Sequence, residues 1–574
     1  MSSKPMRKTP VVLCWHMHQP DYRDRVQGQF EQPWTYLHGT KDYIEMAAHL
    51  EAHPKAKAVV NFAPILLDQL TDYGTQINAY LAGEGGLNDP MLAALVGDDL
   101  PEPGSEDFDR IAHQCLKVNR TRVIERFPAF AALATLVETD HVLRYVGKQF
   151  LWDLLVWYHL GWMGETVRRN DERIQALQDK EWHFDSADRR LLLGIIGELI
   201  NGIGPRYRRL VASGQVELAM SPWAHPIVPL MLDLNSAKEA IPDVAMPEAE
   251  TYPGGEARAR WHIETGLRVF EGYFGTRPAG CWASEGALSN ATLALLDDYD
   301  FEWTATGDSV LHNSLRHPDN GALKETLDSY HWHYRFGGQA VRCFFRDDGL
   351  SDLIGFKYAD WHADDAVGDL IHHMENIAKA QDSGDTIISI IMDGENAWEY
   401  YPENGWYFLD GLYQQLTDHP HLELTTYRDL IDREEGPDAV HLKNLVAGSW
   451  VYGTFSTWIG DNDKNLGWDL LCAAKSAYDQ RIDQLDEETR RAATEQLGVC
   501  EGSDWFWWFG DYNPADSVSD FERLYRLHLS NLYRLLDLPV PPALLEVMSV
   551  GSGAPEHGGV MRHGHAEAEE GGRR

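Results

Sequence analysis

Short apolar runs recur along this chain, and most of them end abruptly in a cluster of polar and aromatic residues. Residues 386–392 have the length and β-branched composition of a buried strand, and they run directly into the acidic sequence DGEN at 393–396. Comparable runs occupy residues 10–15, 58–62, 215–220, 280–283, 303–306 and 340–345. Helix-periodic segments separate most of these runs, and this alternation predicts an α/β fold with a parallel sheet.

The placement of the polar clusters favours a barrel over an open sheet. We count about seven strands, and functional residue types follow most of them, as they do at the C-terminal face of a (β/α) barrel. An open doubly wound sheet would instead bind its ligand at a switch point, and the chain has no Gly-rich phosphate loop to support that arrangement.

Pattern changes along the chain predict three regions. Residues 1–430 form the catalytic barrel, which includes a helix-periodic insertion at about 106–213. Residues 431–548 are aromatic and then helical, and we expect a C-terminal helical domain whose aromatic loops cap the cleft. Residues 549–574 are rich in Gly, His and Glu and are predicted to be a disordered tail.

Composition excludes several classes of partner. The net charge of −39 argues against nucleic acid and against anionic membrane surfaces, because both require basic patches. The six cysteines are scattered without a CxxC pair, which indicates free thiols in a reducing compartment. Neither a signal peptide nor an apolar segment of spanning length is evident, so we expect a soluble cytoplasmic protein. The oligomeric state stays open.

Two strand-end carboxylates lie close to tryptophans in sequence. Glu285 follows Trp282, and Asp393 precedes Trp398. Two carboxylates that flank a sugar bond are the minimum equipment for glycoside hydrolysis, since one must carry a proton and the other must be ionised. The high aromatic content, with 20 Trp, also suits the binding of sugar rings. A simple turn at Asp393 and a structural ion pair at either carboxylate are the alternatives.

The histidines at the first strand end raise a metal hypothesis. His16 and His18 lie on one face of the strand, and His225 could supply a third ligand, as in three-histidine zinc sites. A metal-dependent polysaccharide deacetylase would then be possible. Hydrogen bonding of these histidines to substrate hydroxyls is the favoured interpretation. No G-x-S-x-G elbow is present to indicate a serine nucleophile.

Five blocks in order resemble the motifs of glycoside hydrolase family 57, the retaining α-glucan-active enzymes. The blocks are HMHQP at 16–20, QVELAMSPWAHP at 215–226, WASEG at 282–286, MDGENAW at 392–398 and SDWFWWFGD at 503–511. The resemblance extends from about residue 11 to residue 535. Residues 344–356 also resemble a segment of amylopullulanase-like members. One departure is His225, which stands where some members carry a glutamate.

The resemblance implies an incomplete (β/α)7 TIM-like barrel with a helical domain, and retention through a covalent glycosyl-enzyme. It implies that Glu285 is the nucleophile and Asp393 the general acid/base, with no metal and no cofactor. We expect the substrate to contact a set of strand-end and loop residues: His16, His18, Trp223, His225, Trp282, Arg346, Glu395, Trp398, Trp458, Asp504 and Trp505.

The function that we predict is hydrolysis of α-1,4 linkages in α-glucans or maltooligosaccharides, with cleavage of α-1,6 linkages left open. A 4-α-glucanotransferase or a branching enzyme would use the same site and differ only in the acceptor. Two further classes remain as alternatives: the metal-dependent deacetylase and a carbohydrate-binding protein without catalytic activity.

Overall fold

The computed structural model describes residues 8–320, 329–380, 386–433 and 438–553. Its centre is a largely parallel sheet, and helices cover that sheet. The strands are β1 (Thr9–Met17), β2 (Arg23–Asp24), β3 (Gln29–Phe30), β4 (Ala58–Phe62), β5 (Val216–Met220), β6 (Gly280–Cys281), β7 (Trp303–Gly307), β8 (Tyr334–Phe336), β9 (Arg342–Arg346), β10 (Ile388–Asp393), β11 (Leu422–Leu424) and β12 (Val440–Leu442).

The strand order confirms the prediction of an α/β fold with a parallel sheet. The main path runs β10-β1-β4-β5-β6-β7-β9, and every neighbouring pair on it is parallel. Strand β8 pairs antiparallel with β9, β12 extends that edge, and β11 pairs with β1. The first strand is fully buried from Val11 to Trp15 because helices cover both faces of a parallel sheet.

The two ends of the parallel path approach each other. The backbone N–H of Asp347, just after β9, donates to the carbonyl of Ser389 in β10 at 2.8 Å. The Nε of Arg346 donates to the carbonyl of Ile391 at 2.6 Å. These bonds bring β9 beside β10, although no ladder joins the two strands in the described part of the chain.

The region between β4 and β5 is helical, as the sequence pattern predicts. A long helix that begins at Ser186 closes it, and the Asp185 carboxylate caps that helix by accepting from the N–H groups of Ala187 and Asp188. The α-helices before β5 are Trp34–His38, Ile44–Ala52, Pro64–Ala82, Pro90–Val96, Glu106–Gln114, Pro128–Glu138, Lys148–Trp162, Glu165–Asn170, Glu172–Lys180 and Ser186–Ala212.

Helices also fill the rest of the chain. Those between β5 and β12 are Val228–Leu232, Ala237–Ala240, Gly255–Phe274, Asn290–Asp298, Asp308–Leu315, Asp348–Asp352, Ala363–Ala380, Trp406–Thr417 and Tyr427–Ile431. Those after β12 are Asn462–Arg481, Glu487–Cys500, Asp504–Trp508 and Ala515–Leu535. The predicted disordered tail begins too early, since the Ser549 hydroxyl accepts from the Gly510 N–H at 3.0 Å and residues 551–553 are placed. Residues 554–574 lie outside the described residues.

A buried ionic cluster fastens the C-terminal helices to the sheet. Glu501 is fully buried and accepts from Arg258 at 2.7 Å and from His262 at 2.7 Å. Its pKa is lowered to about 2, because the Arg258 charge and these hydrogen bonds outweigh the effect of burial. Removal of Arg258 would leave the buried Glu501 charge uncompensated, at a cost of about 3–5 kcal/mol.

All six cysteines are unpaired and buried, in agreement with the sequence prediction. Among the described residues, no helix combines the length and the apolar character needed to cross a membrane.

Gly280 provides a test of the packing around β6. A Cβ on this residue would lie 1.9 Å from the Trp303 ring, which is buried. We therefore expect Gly280→Ala to lower the free energy of unfolding by roughly 1–3 kcal/mol, because the core must shift. Gly272 faces open space near the end of helix Gly255–Phe274, so Gly272→Ala should raise the free energy of unfolding by about 0.5–1 kcal/mol. Urea unfolding of both variants checks the pair, and equal effects would contradict the packing argument.

Candidate active site

One large cavity opens where the strands end. Its volume is about 560 Å³, a usual size for a small-ligand site. His16 and His18 at the end of β1, Glu285 after β6 and Asp393 at the end of β10 all line it. In the β1/β10 ladder His16 is the direct partner of Asp393, so two adjacent strands deliver these side chains to one edge. The structure therefore brings these four strand-end residues together in one cavity.

Two residues of the site hold a left-handed backbone conformation. Glu285 has φ 59° and ψ 23° within a tight turn after β6, and His225 has φ 60°. A non-glycine residue in this region is strained by about 1–3 kcal/mol, and such strain clusters at functional sites. The turn directs the Glu285 carboxylate into the cavity, where it is 9% exposed.

Two donors from the C-terminal part of the chain hold the Glu285 carboxylate. The Ser503 hydroxyl donates to Oε1 at 3.2 Å, and the Trp450 indole donates to Oε2 at 3.2 Å. The Trp450 backbone N–H also donates to the Glu285 carbonyl at 3.2 Å. The carboxylate is therefore fixed in orientation, with one hydrogen bond to each oxygen.

The site raises the pKa of both carboxyl groups. The pKa of Glu285 rises to about 8, chiefly through burial and then through the negative charges of Asp504 and Asp393. The Ser503 and Trp450 hydrogen bonds oppose that rise. Burial also raises the pKa of Asp393, while a hydrogen bond from Asn396 at 2.9 Å opposes it. Because each charge disfavours the other, the cavity readily retains a proton.

Three histidine rings stack beside the carboxylates. The centroid of the His18 ring lies 5.9 Å from that of His16 and 3.9 Å from that of His225. His16 Nδ1 donates to the Asn61 amide oxygen at 2.6 Å. Burial and the neighbouring His18 lower the pKa of His16 to about 3, and burial lowers that of His225 well below its usual value. His16 and His225 are therefore neutral and suited to hydrogen bonding.

Asp504 and Glu395 complete the polar lining. Asp504 contacts His18 Nε2 at 2.8 Å, and it comes from the short helix Asp504–Trp508. Glu395 accepts from the His18 N–H at 3.3 Å and from Gln19 at 3.0 Å. Burial raises the pKa of Glu395 well above its usual value. Glu395 thus braces the turn after β1, and Asp504 reaches into the cavity.

Arg346 does not line the main cavity. Its guanidinium is buried and pairs with Asp348 at 2.6 Å and with Asp352 at 2.7 Å. It lines a second cavity of about 30 Å³ together with Asp393 and Trp450. The structure therefore places Arg346 behind Asp393, the candidate general acid/base. From this position Arg346 does not contact a substrate in the main cavity.

Several predicted substrate-binding side chains lie away from the cavity surface. Trp223, Trp398, Trp458 and Trp505 are at most 2% exposed, and none of them lines the cavity. The Trp398 indole N–H, for example, donates a hydrogen bond to the Gly394 carbonyl at 3.0 Å. Trp282 and His225 likewise lie behind the surface, packed on Trp450 and on His18. These side chains support the wall from behind, and their positions do not support the prediction that the substrate contacts them directly.

The aromatic surface of the cavity comes from residues outside the predicted set of substrate contacts. They are Tyr22, Trp34, Trp162, Tyr400, Trp450, Trp507, Trp508 and Phe521. Trp162 is the last residue of helix Lys148–Trp162, and it lines the cavity although it is only 4% exposed. In the 503–511 block successive residues turn by about 100° on a helix, so sequence alone does not tell which tryptophan faces the ligand.

Comparisons with known proteins agree with this geometry. The family model described as glycosyl hydrolase family 57 matches residues 12–443, well over half of the chain. No curated protein matches the sequence.

Solved structures share the fold at low sequence identity. A branching enzyme from Pyrococcus horikoshii is 13% identical, with TM-score 0.56 over 96% of this chain and 98% of its own. A branching enzyme from Thermococcus kodakaraensis is 15% identical, with TM-score 0.54 over 94% and 93%. An α-amylase from Thermotoga maritima is 13% identical, with TM-score 0.55 over 93% of each chain.

The contacts around Glu285 predict opposite pH shifts in two variants. Ser503→Ala removes a hydrogen bond to the charged carboxylate, so the pKa of Glu285 should rise and the acidic limb of kcat/KM should move up by roughly one pH unit. Asp504→Asn removes a repelling charge, so the same limb should move down. Ser517→Ala, which also lies on the cavity, is the control and should leave the limb unchanged. Shifts of the same sign in both variants would contradict this electrostatic account.

Proposed function

Because this chain belongs to glycosyl hydrolase family 57, we propose that it cleaves α-1,4 linkages of α-glucans with retention of configuration, by a double displacement on Glu285 and Asp393. The observation that carries the proposal is the pairing of these two carboxylates in one cavity, close enough for the charge of Asp393 to act on Glu285. Two carboxyl groups with separate roles are what retaining glycosidases require.

The surroundings of the two carboxylates suit different roles. Glu285 is held on both oxygens and is fixed by a strained turn, which suits a nucleophile that must stay aligned with the anomeric carbon. Asp393 is partly exposed, and Asn396 is its side-chain partner. Its raised pKa suits a group that gives up and regains a proton.

The steps follow from these positions. Asp393 donates its proton to the glycosidic oxygen while a Glu285 oxygen attacks the anomeric carbon, and the leaving glucan departs with that proton. A covalent glycosyl ester on Glu285 results. Asp393, now ionised, takes a proton from an incoming water, whose oxygen attacks the same carbon and releases Glu285 as the carboxylate. The two inversions give net retention.

The polar lining of the cavity suits the binding of the reactive sugar. His16, His18 and Asp504 line the cavity, and the Asp504 carboxylate is an acceptor for sugar hydroxyls. Sugar C–H faces would stack on the exposed faces of Trp34, Trp450 and Trp507. These uncharged and aromatic contacts fit a neutral carbohydrate.

Transfer to a second glucan is the other candidate reaction. It uses the same ester intermediate, with a sugar hydroxyl in place of water. The aromatic lining favours it, because Trp34, Trp162, Trp507 and Trp508 would hold an acceptor chain and exclude water. A hydrolase with this site would either cleave α-1,4 linkages alone or cleave α-1,6 linkages as well.

The domain boundaries follow as part of the proposal. Residues 1–430 would form an incomplete (β/α)7 barrel with its helical insertion, and residues 431–548 would form the helical domain. Because Trp450 and Ser503 hold Glu285, the second domain would complete the active site rather than merely cover it.

Substitution of the nucleophile tests the mechanism. Glu285→Ala should lower turnover on maltooligosaccharides by at least about 10³-fold, and azide should restore part of it by taking the vacated position of the carboxylate. Glu217→Gln is a matched control, because Glu217 is also buried with a pKa raised to about 7 but bonds Trp303 on β7 outside the cavity. Glu217→Gln should stay active, and an active Glu285→Ala variant would refute the assignment.

Product analysis separates the candidate reactions. Hydrolysis of soluble starch should release new reducing ends, and the first product should be the α-anomer by NMR, because two displacements retain configuration. Transfer would instead redistribute chain lengths of maltooligosaccharides without new reducing ends, and release of maltotriose from pullulan would show α-1,6 cleavage. A β-anomeric first product would contradict the double displacement.

A further inference from the structure

A second constellation shares the floor of the cavity. His18, His225 and Asp504 each offer one ligand atom, and these three atoms lie within 4.8 Å of one another. His18 Nε2 already contacts the Asp504 carboxylate at 2.8 Å. His16, the other histidine of the three-histidine hypothesis, does not belong to this group of ligand atoms. We call the remaining three residues the His18–His225–Asp504 cluster.

His225 presents a free lone pair to this cluster. Its Nδ1 lies 3.0 Å from the Ser503 hydroxyl, which in turn donates to Glu285, so Nδ1 carries the proton. Its Nε2 is buried and finds no hydrogen-bond partner among the described residues. A neutral imidazole held at one nitrogen by a fixed partner, with its other nitrogen free, is the usual state of a metal-binding histidine.

The local charge favours a cation at this point. Glu285, Asp393 and Asp504 face one another across the cavity, and the charges of Asp393 and Asp504 both raise the pKa of Glu285. The nearest buried guanidinium, Arg346, is already paired with Asp348 and Asp352. A dication would relieve this repulsion, whereas a neutral sugar would not.

We propose that the His18–His225–Asp504 cluster binds a transition-metal dication of the Zn²⁺ or Cu²⁺ type, and that the bound ion excludes the glucan from the catalytic carboxylates. Two imidazoles and one carboxylate match the preferences of these ions, while Mg²⁺ and Ca²⁺ prefer all-oxygen sites. The ion is an inhibitor that occupies the reactive sugar's place, and it takes no part in the double displacement.

The required rearrangement is small. Zinc ligands lie about 2.0–2.2 Å from the ion, so they are about 3.4 Å apart in a tetrahedral site. The three ligand atoms lie within 4.8 Å of one another, so no pair has to close by more than roughly 1.4 Å. His18 Nε2 and the Asp504 oxygen, which are 2.8 Å apart, have to separate slightly, and rotation of these two side chains can provide both movements. The fourth position faces the cavity, where water or Glu285 would complete the coordination.

Metal binding itself is the first measurement. The full chain, stripped with a chelator, is titrated with ZnCl₂ in a calorimeter and with Co²⁺ in a spectrophotometer, where four-coordinate cobalt gives intense visible bands. We expect Asp504→Asn and His225→Asn each to lose one equivalent of bound Zn²⁺, or to bind it about tenfold or more weakly, together with the cobalt bands. Asparagine tolerates the left-handed backbone at position 225.

Two controls sharpen the result. His372→Asn alters an exposed histidine pair on helix Ala363–Ala380 and should keep the equivalent that the cluster variants lose. If His225→Asn does not fold by circular dichroism, Asp504→Asn decides, since its carboxylate lies at the cavity surface and is 13% exposed. Unchanged stoichiometry and affinity in Asp504→Asn would overturn the proposal.

Inhibition is the second measurement, and it rests on the proposed function. In chelator the enzyme should be fully active on maltooligosaccharides, and added Zn²⁺ should raise KM without lowering kcat. Activation by Zn²⁺, or inhibition that persists in Asp504→Asn at equal strength, would overturn the inhibitory role. If the chain has no activity on any glucan in chelator, the proposed function fails, while the calorimetric result still decides whether the cluster binds metal.

Discussion

The carboxylate of Glu285 depends on side chains that lie far away in sequence. Trp450 and Ser503 hold its two oxygens, although they follow it by 165 and 218 residues. Without these bonds, burial and the charges of Asp393 and Asp504 would act on Glu285 unopposed and would favour its protonated, non-nucleophilic form. The C-terminal helices are thus part of the site's electrostatics, and their docking is a condition for a working nucleophile.

The docking has its own physical basis, two residues before Ser503. Glu501 is buried between Arg258 and His262 of helix Gly255–Phe274, which packs against the sheet, and its charge is stabilised there by hydrogen bonds. The Ser503 backbone N–H then donates to the His225 carbonyl at 2.9 Å. The ionic cluster therefore sets the position of Ser503, and Ser503 in turn sets those of Glu285 and His225.

The sequence was most informative where backbone pattern dictates position. Buried β-branched runs located the parallel strands, and polar clusters at their ends located His16, Glu285 and Asp393, because parallel strands share one carboxyl edge. It was least informative for side-chain direction. Aromatic-rich sequence surrounds five tryptophans alike: Trp398, Trp458, Trp505, Trp450 and Trp507. The first three nevertheless pack into the core, whereas Trp450 and Trp507 reach the cavity. Tertiary packing decides this, and neither periodicity nor composition encodes it. The hydrogen bonds of Ser503 could not be predicted either, because they join segments that are far apart in sequence.

An acidic cavity is a requirement of the proposed chemistry and also its weakness. A retaining glycosidase needs a carboxylate that attacks and a carboxyl group that donates a proton, and burial is the main reason why the site keeps that proton at neutral pH. Asp504 adds a repelling charge while it also orients His18. The same negative charge, beside the free Nε2 of His225, attracts any small dication that coordinates imidazole. Because a neutral glucan gains nothing from that charge, its binding must come from hydrogen bonds and aromatic faces. A trace dication is attracted by the charge and would therefore compete with the substrate for the site.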